Sequence, residues 1–258
     1  MQKTLNIGNT RVPALGLGTY KLTGKDGEKA IEYGLSTGYR HIDTAEFYGN
    51  EAEVGNAIKN SGVERSEIFI TTKVWPSNFT KSNFIRSVEE SLRKLKTGYV
   101  DLLLLHWPAD DETNKLAAEL LNKCHELQYA KQVGVSNFSL QQLQAAQKLA
   151  PVFCNQLEYN PYKNMQAMLH YMQTHNMLFT AYSPLARGAV LKEQVIITLA
   201  EKHNKTGSQI VLRWLLQQGN VAAIPKASTE KHSIENMQVF DFELSDADMA
   251  AIFTLQKG

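Results

Sequence analysis

The sequence predicts an α/β fold, a closed (β/α)8 TIM barrel with an N-terminal β-hairpin and an extra C-terminal helix. Three observations carry that expectation. Eight short apolar runs alternate with longer segments of helical period. No low-complexity stretch, charge block or Pro/Ser-rich linker divides the 258 residues, so one domain over 1–258 is expected. The length suits eight strand–helix units with little left over. A doubly wound open sheet is the alternative.

The apolar runs fall at 14–18, 41–42, 68–71, 100–105, 132–135, 152–156, 178–181 and 221–224. A hairpin is expected before the first, over 4–12, with Gly8-Asn9 at its turn, where it could plug the barrel floor. Helical patterns lie between the runs, at 26–37, 51–60, 81–95, 114–129, 140–149, 165–174 and 208–217. In the third, Phe84, Ile85, Val88, Leu92 and Leu95 recur at three- and four-residue steps, which places them on one buried face. Ser139 and Ser208 read as N-caps. The segment 246–253, after Ser245, reads as a terminal helix outside the barrel count.

Composition narrows the function. Lys plus Arg number 27 against 26 Asp plus Glu, a formal charge of +1 with no basic tail, so a nucleic-acid partner is not expected. The apolar run Leu102 to Leu105 is far too short to span a bilayer, and the start of the chain lacks the apolar stretch of a secretory signal. Two cysteines, Cys124 and Cys154, stand without CxxC or Cys/His ligand spacing. Neither a disulfide scaffold nor a metal site is expected, and a cytoplasmic location is.

In a barrel the C-terminal strand ends converge on one mouth. The residues that follow the eight runs are Thr19-Tyr20, Asp43 (with Tyr48 in its loop), Lys73 (then Trp75), His106-Trp107, Ser136-Asn137, Asn155-Gln156, Tyr182-Ser183 and Pro225-Lys226. One polar strand end is unremarkable; a full ring of them is not. A tyrosine with a pKa near 10 is a poor acid at neutral pH, and an adjacent ammonium favours its phenolate. A carboxylate holds that ammonium, and a histidine donates to a substrate oxygen. Together they can protonate an oxygen on which charge builds, as in carbonyl reduction. None of these groups supplies a hydride, so a cofactor must. The amides of Asn137 and Gln156 suit a carboxamide, the Tyr182 ring suits stacking on a flat heterocycle, and Lys226, beside a helix starting near Glu230, suits a phosphate. A Rossmann fingerprint is missing: Gly16-Leu17-Gly18-Thr19-Tyr20-Lys21 stops short of GxGxxG.

The motifs resemble those of the aldo-keto reductases. Gly38-Tyr39-Arg40-His41-Ile42-Asp43-Thr44-Ala45, followed by Tyr48, Glu51 and Val54-Gly55, is similar to the family signature. So are Ile70-Thr71-Thr72-Lys73, Asp101 through Pro108, Gly134-Val135-Ser136-Asn137-Phe138 and Ala223-Ile224-Pro225-Lys226. The likeness runs along the chain and is strongest to the short bacterial 2,5-diketo-D-gluconate and methylglyoxal reductase group. It implies NADPH-dependent reduction of small aldehydes and ketones. Tyr48 would be the proton donor, Lys73 would lower its pKa, Asp43 would support Lys73, and His106 would orient the carbonyl. Thr19, Asp43, Ser136, Asn137, Gln156 and Tyr182 would hold the nicotinamide end. Ser183 and Leu185 would follow the pyrophosphate. Lys226, Ser228, Thr229, His232, Glu235 and Asn236 would surround the adenosine end. Tyr20, Phe47, Trp75, His106 and Trp107 would line the substrate pocket.

Two departures matter. Ala227 and His232 stand where the family usually has Ser or Thr and an Arg, and a neutral imidazole lacks the fixed charge of a guanidinium. NADPH remains the expected cofactor, with NADH tolerated. The segments after His106 and Ser183 are short, and little follows the last helix, so an open, broadly tolerant pocket is expected. A monomer is expected. The alternatives are an NADPH-binding regulatory or structural member, and a reductase of steroid double bonds; the latter usually carries glutamate where this chain has His106.

Among the other residues, His41 reads as structural, His125, His170, His175 and His203 as surface groups, and Phe69, Phe84, Phe138 and Trp214 as core. Glu51 reads as a helix-start carboxylate, with an active-site hydrogen bond as the alternative. Cys154 reads as a buried strand thiol.

Overall fold

The computed structural model describes residues 3–256. The outermost residues of the expected domain, 1–2 and 257–258, lie outside the described residues. The chain opens with the antiparallel hairpin β1 (Thr4–Ile7) and β2 (Thr10–Pro13), turned at Gly8, whose φ is +56°. Ile7 and Val12 are buried, and Gln132 Nε2 donates to Thr10 Oγ1 at 2.9 Å. That contact lies near the start of a barrel strand, so the hairpin covers the floor.

Eight parallel strands follow in sequence order: β3 (Leu17–Gly18), β4 (His41–Asp43), β5 (Phe69–Val74), β6 (Val100–Leu105), β7 (Ala130–Ser136), β8 (Val152–Glu158), β9 (Leu178–Tyr182) and β10 (Val221–Ala223). The two edges close on one another. Gly16 N–H donates to Ala223 O at 2.8 Å, Ala223 N–H to Ala14 O at 2.9 Å and Gly18 N–H to Pro225 O at 3.0 Å. A Cβ on Gly18 would stand 2.7 Å from Ile224 O, so only glycine permits this seam. Strands β5 and β6 are buried along their whole length, which is why they read as largely apolar runs, interrupted by Thr71, Thr72 and Lys73 in β5 and by Asp101 in β6.

The helices are α1 (Gly24–Ser36), α2 (Glu51–Ser61), α3 (Phe84–Leu95), α4 (Asp111–Glu126), α5 (Leu140–Ala146), α6 (Gln166–Thr174), α7 (Gln194–His203), α8 (Gly207–Leu216), α9 (Glu230–Met237) and α10 (Asp246–Phe253). In α3, Phe84, Val88, Leu92 and Leu95 are buried as the spacing predicts, each contributing about 1.5–3 kcal/mol, whereas Ile85 is only half-buried at the edge of that face. Ser139 caps α5 through a capping box with Gln142.

Three expectations are corrected. A further helix, α7, lies between β9 and α8; only Ile196 and Leu199 of its ten residues are buried, so its apolar stripe is faint. The cap of α8 is Thr206, not Ser208, because Thr206 and Gln209 form the reciprocal box. His203 is not a surface group: its Nε2 lies 3.0 Å from Asp248 Oδ2 and its side chain is largely covered. With Lys202 Nζ donating to Asp248 Oδ1 at 2.7 Å, it ties α10 to α7.

Candidate active site

The barrel mouth gathers the residues that follow the strands. Asp43 ends β4, Lys73 lies near the end of β5, and His106 follows β6. Tyr48 sits on a 3-10 turn, Glu46–Tyr48, just after β4. Lys73 Nζ donates to Asp43 Oδ1 at 2.6 Å and to Thr44 O at 2.7 Å. Gln156 Nε2, from β8 across the barrel, donates to Asp43 Oδ2 at 2.7 Å. Lys73 Nζ lies 5.1 Å from the centroid of the Tyr48 ring, and that ring lies 5.6 Å from His106. Asp43, Lys73 and His106 are all buried.

Burial sets the charges here. It lowers the pKa of Lys73, but Asp43 and the Tyr48 hydroxyl outweigh it, so the ammonium is held above its ordinary value. Burial raises Tyr48, and the Lys73 charge offsets only part of that rise. The expectation that Lys73 would lower the Tyr48 pKa is therefore met in direction by Lys73 itself and reversed in the net, because desolvation is larger. Burial, then the nearby Lys73 charge, push His106 down to about 3. At neutral pH the mouth thus holds a protonated phenol, an ammonium and a neutral imidazole.

A second network runs along the neighbouring strand ends. Ser136 Oγ donates to Gln156 O at 2.9 Å. Asn137, in the left-handed region at φ +64°, donates to His106 O at 3.1 Å and to Ser136 Oγ at 3.0 Å. Tyr182 Oη donates to Asn137 Oδ1 at 2.8 Å. Thr19 Oγ1 donates to Asp43 O at 2.9 Å. Hydroxyl, amide and aromatic ring stand together on β7, β8 and β9, a donor and acceptor set that fits a flat ring bearing a carboxamide. Beyond them, Ser183 is exposed and Leu185 half-buried. Lys226, Ser228, Thr229 and His232 are exposed around the start of α9, where Thr229 Oγ1 accepts from His232 N–H at 3.2 Å. Glu235 is half-buried, with Lys231 Nζ at 3.8 Å, and Asn236 is buried in the packing of α9. The structure thus brings four of the six adenosine-end candidates to one surface.

Aromatic rings frame the opening. Phe47 and Trp75 stack with centroids 4.0 Å apart and planes 14° apart. Trp75 stands perpendicular to His106 at 5.0 Å, and Tyr20 lies 5.1 Å from Tyr48. Tyr20, Phe47 and Trp107 are exposed. The rim is apolar and open.

Residues 14–257 match the Aldo/keto reductase family. The chain belongs to that family. The chain is 38% identical to a glyoxal reductase of Bacillus subtilis (strain 168) over 261 residues, covering 100% of this chain and 94% of the relative. It is 39% identical to a methylglyoxal reductase DkgB of Yersinia pestis, covering 95% and 94%. A solved aldo/keto reductase structure from Brucella melitensis superposes with a TM-score of 0.93 at 36% identity, covering 99% and 100%. The protein is an oxidoreductase.

The structure adds a residue of this reductase that sequence reasoning did not single out, Asn50, and gives Glu51 its partners. Asn50 is buried; its Nδ2 donates to Thr19 O and Leu22 O, both at 2.8 Å, and its Oδ1 accepts from Thr44 Oγ1 at 2.9 Å. It fastens the loop after β3 to the loop that carries Tyr48. Glu51 opens α2, as its reading as a helix-start carboxylate expects, and it is also buried, with Thr72 Oγ1 donating to it at 2.6 Å. Burial raises its pKa against the hydrogen bonds of Thr72 and Ser91. Cys124 and Cys154 are buried free thiols, each pushed up to about 12 by burial. Among the described residues, no cluster of His, Cys, Asp and Glu could hold a metal ion, and no helix is long and apolar enough to cross a membrane.

Proposed function

We propose that this reductase reduces small aldehydes and ketones, dicarbonyls and sugar-derived ketones among them, to alcohols with NADPH, and that Tyr48 donates the proton. One observation carries the reading: a protonated Tyr48 stands beside the buried Lys73–Asp43 pair, with a neutral His106 opposite. Lys73 stabilises the phenolate left when Tyr48 gives up its proton, which offsets the cost of burial. Asp43 keeps Lys73 charged and is itself fixed by Gln156. His106, neutral, can donate one hydrogen bond to the substrate oxygen and carries no charge that would compete with Lys73. When bound, the nicotinamide supplies the hydride. Ser136, Asn137 and Gln156 would hold its carboxamide and Tyr182 its ring; Ser183 and Leu185 would lie along the pyrophosphate, and Lys226, Ser228, Thr229 and His232 would meet the phosphate end. The names of the glyoxal and methylglyoxal reductases favour small dicarbonyl substrates. The proposal takes the chain as one domain over 1–258 acting as a monomer. Unpaired buried thiols favour a cytoplasmic setting.

Loss of NADPH absorbance with methylglyoxal, a nitrobenzaldehyde, a sugar-derived diketone and no substrate tests the proposal. Tyr48→Phe is expected to lower turnover by roughly 10²–10⁴-fold and to leave the NADPH dissociation constant nearly unchanged. Cofactor binding without turnover on any carbonyl would move the protein to the regulatory reading. Because His232 and Ala227 offer no fixed charge, kcat/KM with NADPH should exceed that with NADH by less than about a thousandfold, roughly 4 kcal/mol. A larger ratio means that Lys226 alone is enough to read the 2′-phosphate.

A further inference from the structure

We infer that Glu46 is a positioning residue that sets the aromatic wall of the substrate pocket, and thereby the preference for aromatic over small aliphatic carbonyls. The inference rests on the carbonyl-reductase reading above. Glu46 begins the short turn that carries Phe47 and Tyr48. Its carboxylate reaches across to the segment after β5. Oε1 accepts from the backbone N–H of Trp75, Oε2 accepts from Ser87 Oγ on α3, and Asn78 Nδ2 donates to both oxygens at 3.1 Å. One side chain thus joins three elements: the turn after β4, the loop after β5 and the first turns of α3. A carboxylate offers enough lone pairs to accept all of these bonds at once.

The joint falls where it controls the pocket. The next residue, Phe47, stacks on Trp75, and the Trp75 N–H is itself bound by Glu46. Both rings stand nearly perpendicular to His106, at 84° and 90°. Phe47 is 55% exposed, so packing against the barrel does not fix it. What fixes it is the stack, and what fixes the register of the stack is the Glu46 bridge. A flat aryl aldehyde would lean on this wall, whereas a three-carbon dicarbonyl could reach His106 and Tyr48 without it. On its outer side Glu46 lines an open groove of about 630 Å³ with Asn78, Asn83, Ser87 and Glu90. Truncation there admits water rather than leaving a buried void, so the variant should fold.

The test compares kcat and KM for 4-nitrobenzaldehyde and methylglyoxal in the wild-type chain, Glu46→Ala, Glu46→Gln, Phe47→Ala and Glu46→Ala/Phe47→Ala, with thermal unfolding of each. In Glu46→Ala the kcat/KM ratio of nitrobenzaldehyde to methylglyoxal is expected to fall about fivefold, the scale of one lost aromatic contact. KM should carry the change, with kcat nearly constant. Glu46→Gln, which keeps an acceptor oxygen and can donate to Ser87, should restore most of the ratio. The double variant should match Phe47→Ala, because the two residues act through one wall. An unchanged ratio in Glu46→Ala beside a lowered one in Phe47→Ala overturns the inference and leaves the reductase reading intact. So does a loss confined to kcat. If the wild-type chain binds NADPH yet turns over neither aldehyde, the reading itself fails and the inference falls with it.

Discussion

Asp43 and Asp101 are both covered carboxylates on barrel strands with cationic partners, yet the two ends of the barrel use them differently. At the mouth, Asp43 faces Lys73, and both side chains are almost wholly out of water. Apart from Asp43, Lys73 Nζ donates to the carbonyl of Thr44 and hydrogen-bonds the Tyr48 hydroxyl. At the other end, Asp101, near the start of β6, accepts from Arg65 at 2.8 Å, Lys131 at 3.1 Å and the backbone N–H of Ile70 at 3.0 Å. Its cations have other outlets. Arg65 also donates to Ile68 O at 2.5 Å, to Tyr99 O at 2.9 Å and to Thr97 Oγ1 at 3.0 Å, and Lys131 is half in solvent. The floor carboxylate is one tie among several; among the described residues, the mouth carboxylate is the one ion-pair partner of a buried ammonium. A fold that needed only stability could fill the mouth with apolar side chains. Keeping the pair there fits the proposal that Tyr48 donates the proton.

The comparison breaks most visibly at Asp43. Asp43→Ala leaves the Lys73 ammonium buried without a counter-charge, and is expected to cost about 3–5 kcal/mol in urea unfolding and to abolish turnover. Lys73→Met/Asp43→Leu, which removes both charges, should be more stable than Asp43→Ala and equally inactive. If the double variant were no more stable, the pair would be holding the barrel together as well as serving the site.

Asp101→Ala is the counterpart, with a smaller effect. Arg65 and Lys131 keep partners or water, so the cost is about 1–3 kcal/mol, mainly the unsatisfied Ile70 N–H. Its kcat/KM should equal that of the wild-type chain at a temperature where both are folded. A drop in turnover without a drop in stability would erase the division between the two ends.

The same division explains what the sequence made legible. Asp43 and His106 stood out in the sequence because a strand that ends at a barrel mouth passes abruptly from apolar residues to one polar residue, as at Leu105-His106 and Ile42-Asp43. Burial of Phe84, Val88, Leu92 and Leu95 followed from spacing alone. Glu46 and Asn50 were not legible, because their partners lie some 30 residues away and nothing local marks them as buried joints. The helix α7 was missed because most of its surface is wet, and a 3-10 stretch with Arg187 and Gly188 at positive φ blurs its approach. Thr206 could have been found: Thr followed three residues later by Gln is a capping-box pattern, and Ser208 lacks it. The net rise of the Tyr48 pKa needed the structure, since the sequence places a lysine nearby but says nothing of how deeply both are buried.

The smallest expected effect is an absence of pH dependence at the mouth, set against acid sensitivity elsewhere. His106 lies at about 3, and Tyr48 and Lys73 are both raised, so none of the three changes charge between about pH 5 and 9. The kcat/KM for a small aldehyde should be flat across that range. Stability should not be. Burial acts to raise Asp248, but the hydrogen bonds of Lys202, His203 and Ser245 outweigh it and hold its carboxyl well below the usual range. A carboxyl with a depressed folded pKa stabilises the fold fully above its unfolded value near 3.9, and loses that contribution as pH falls toward the folded value. Urea unfolding followed downward from about pH 6 should therefore weaken through this carboxyl below about pH 5, and Asp248→Asn should flatten part of that slope while leaving kcat/KM untouched. A break in kcat/KM near 6.5 that disappears in His106→Asn would mean a histidine that titrates normally. The mouth would then be wetter than its burial implies, and the neutral donor opposite Tyr48 would exist over only half of the physiological range.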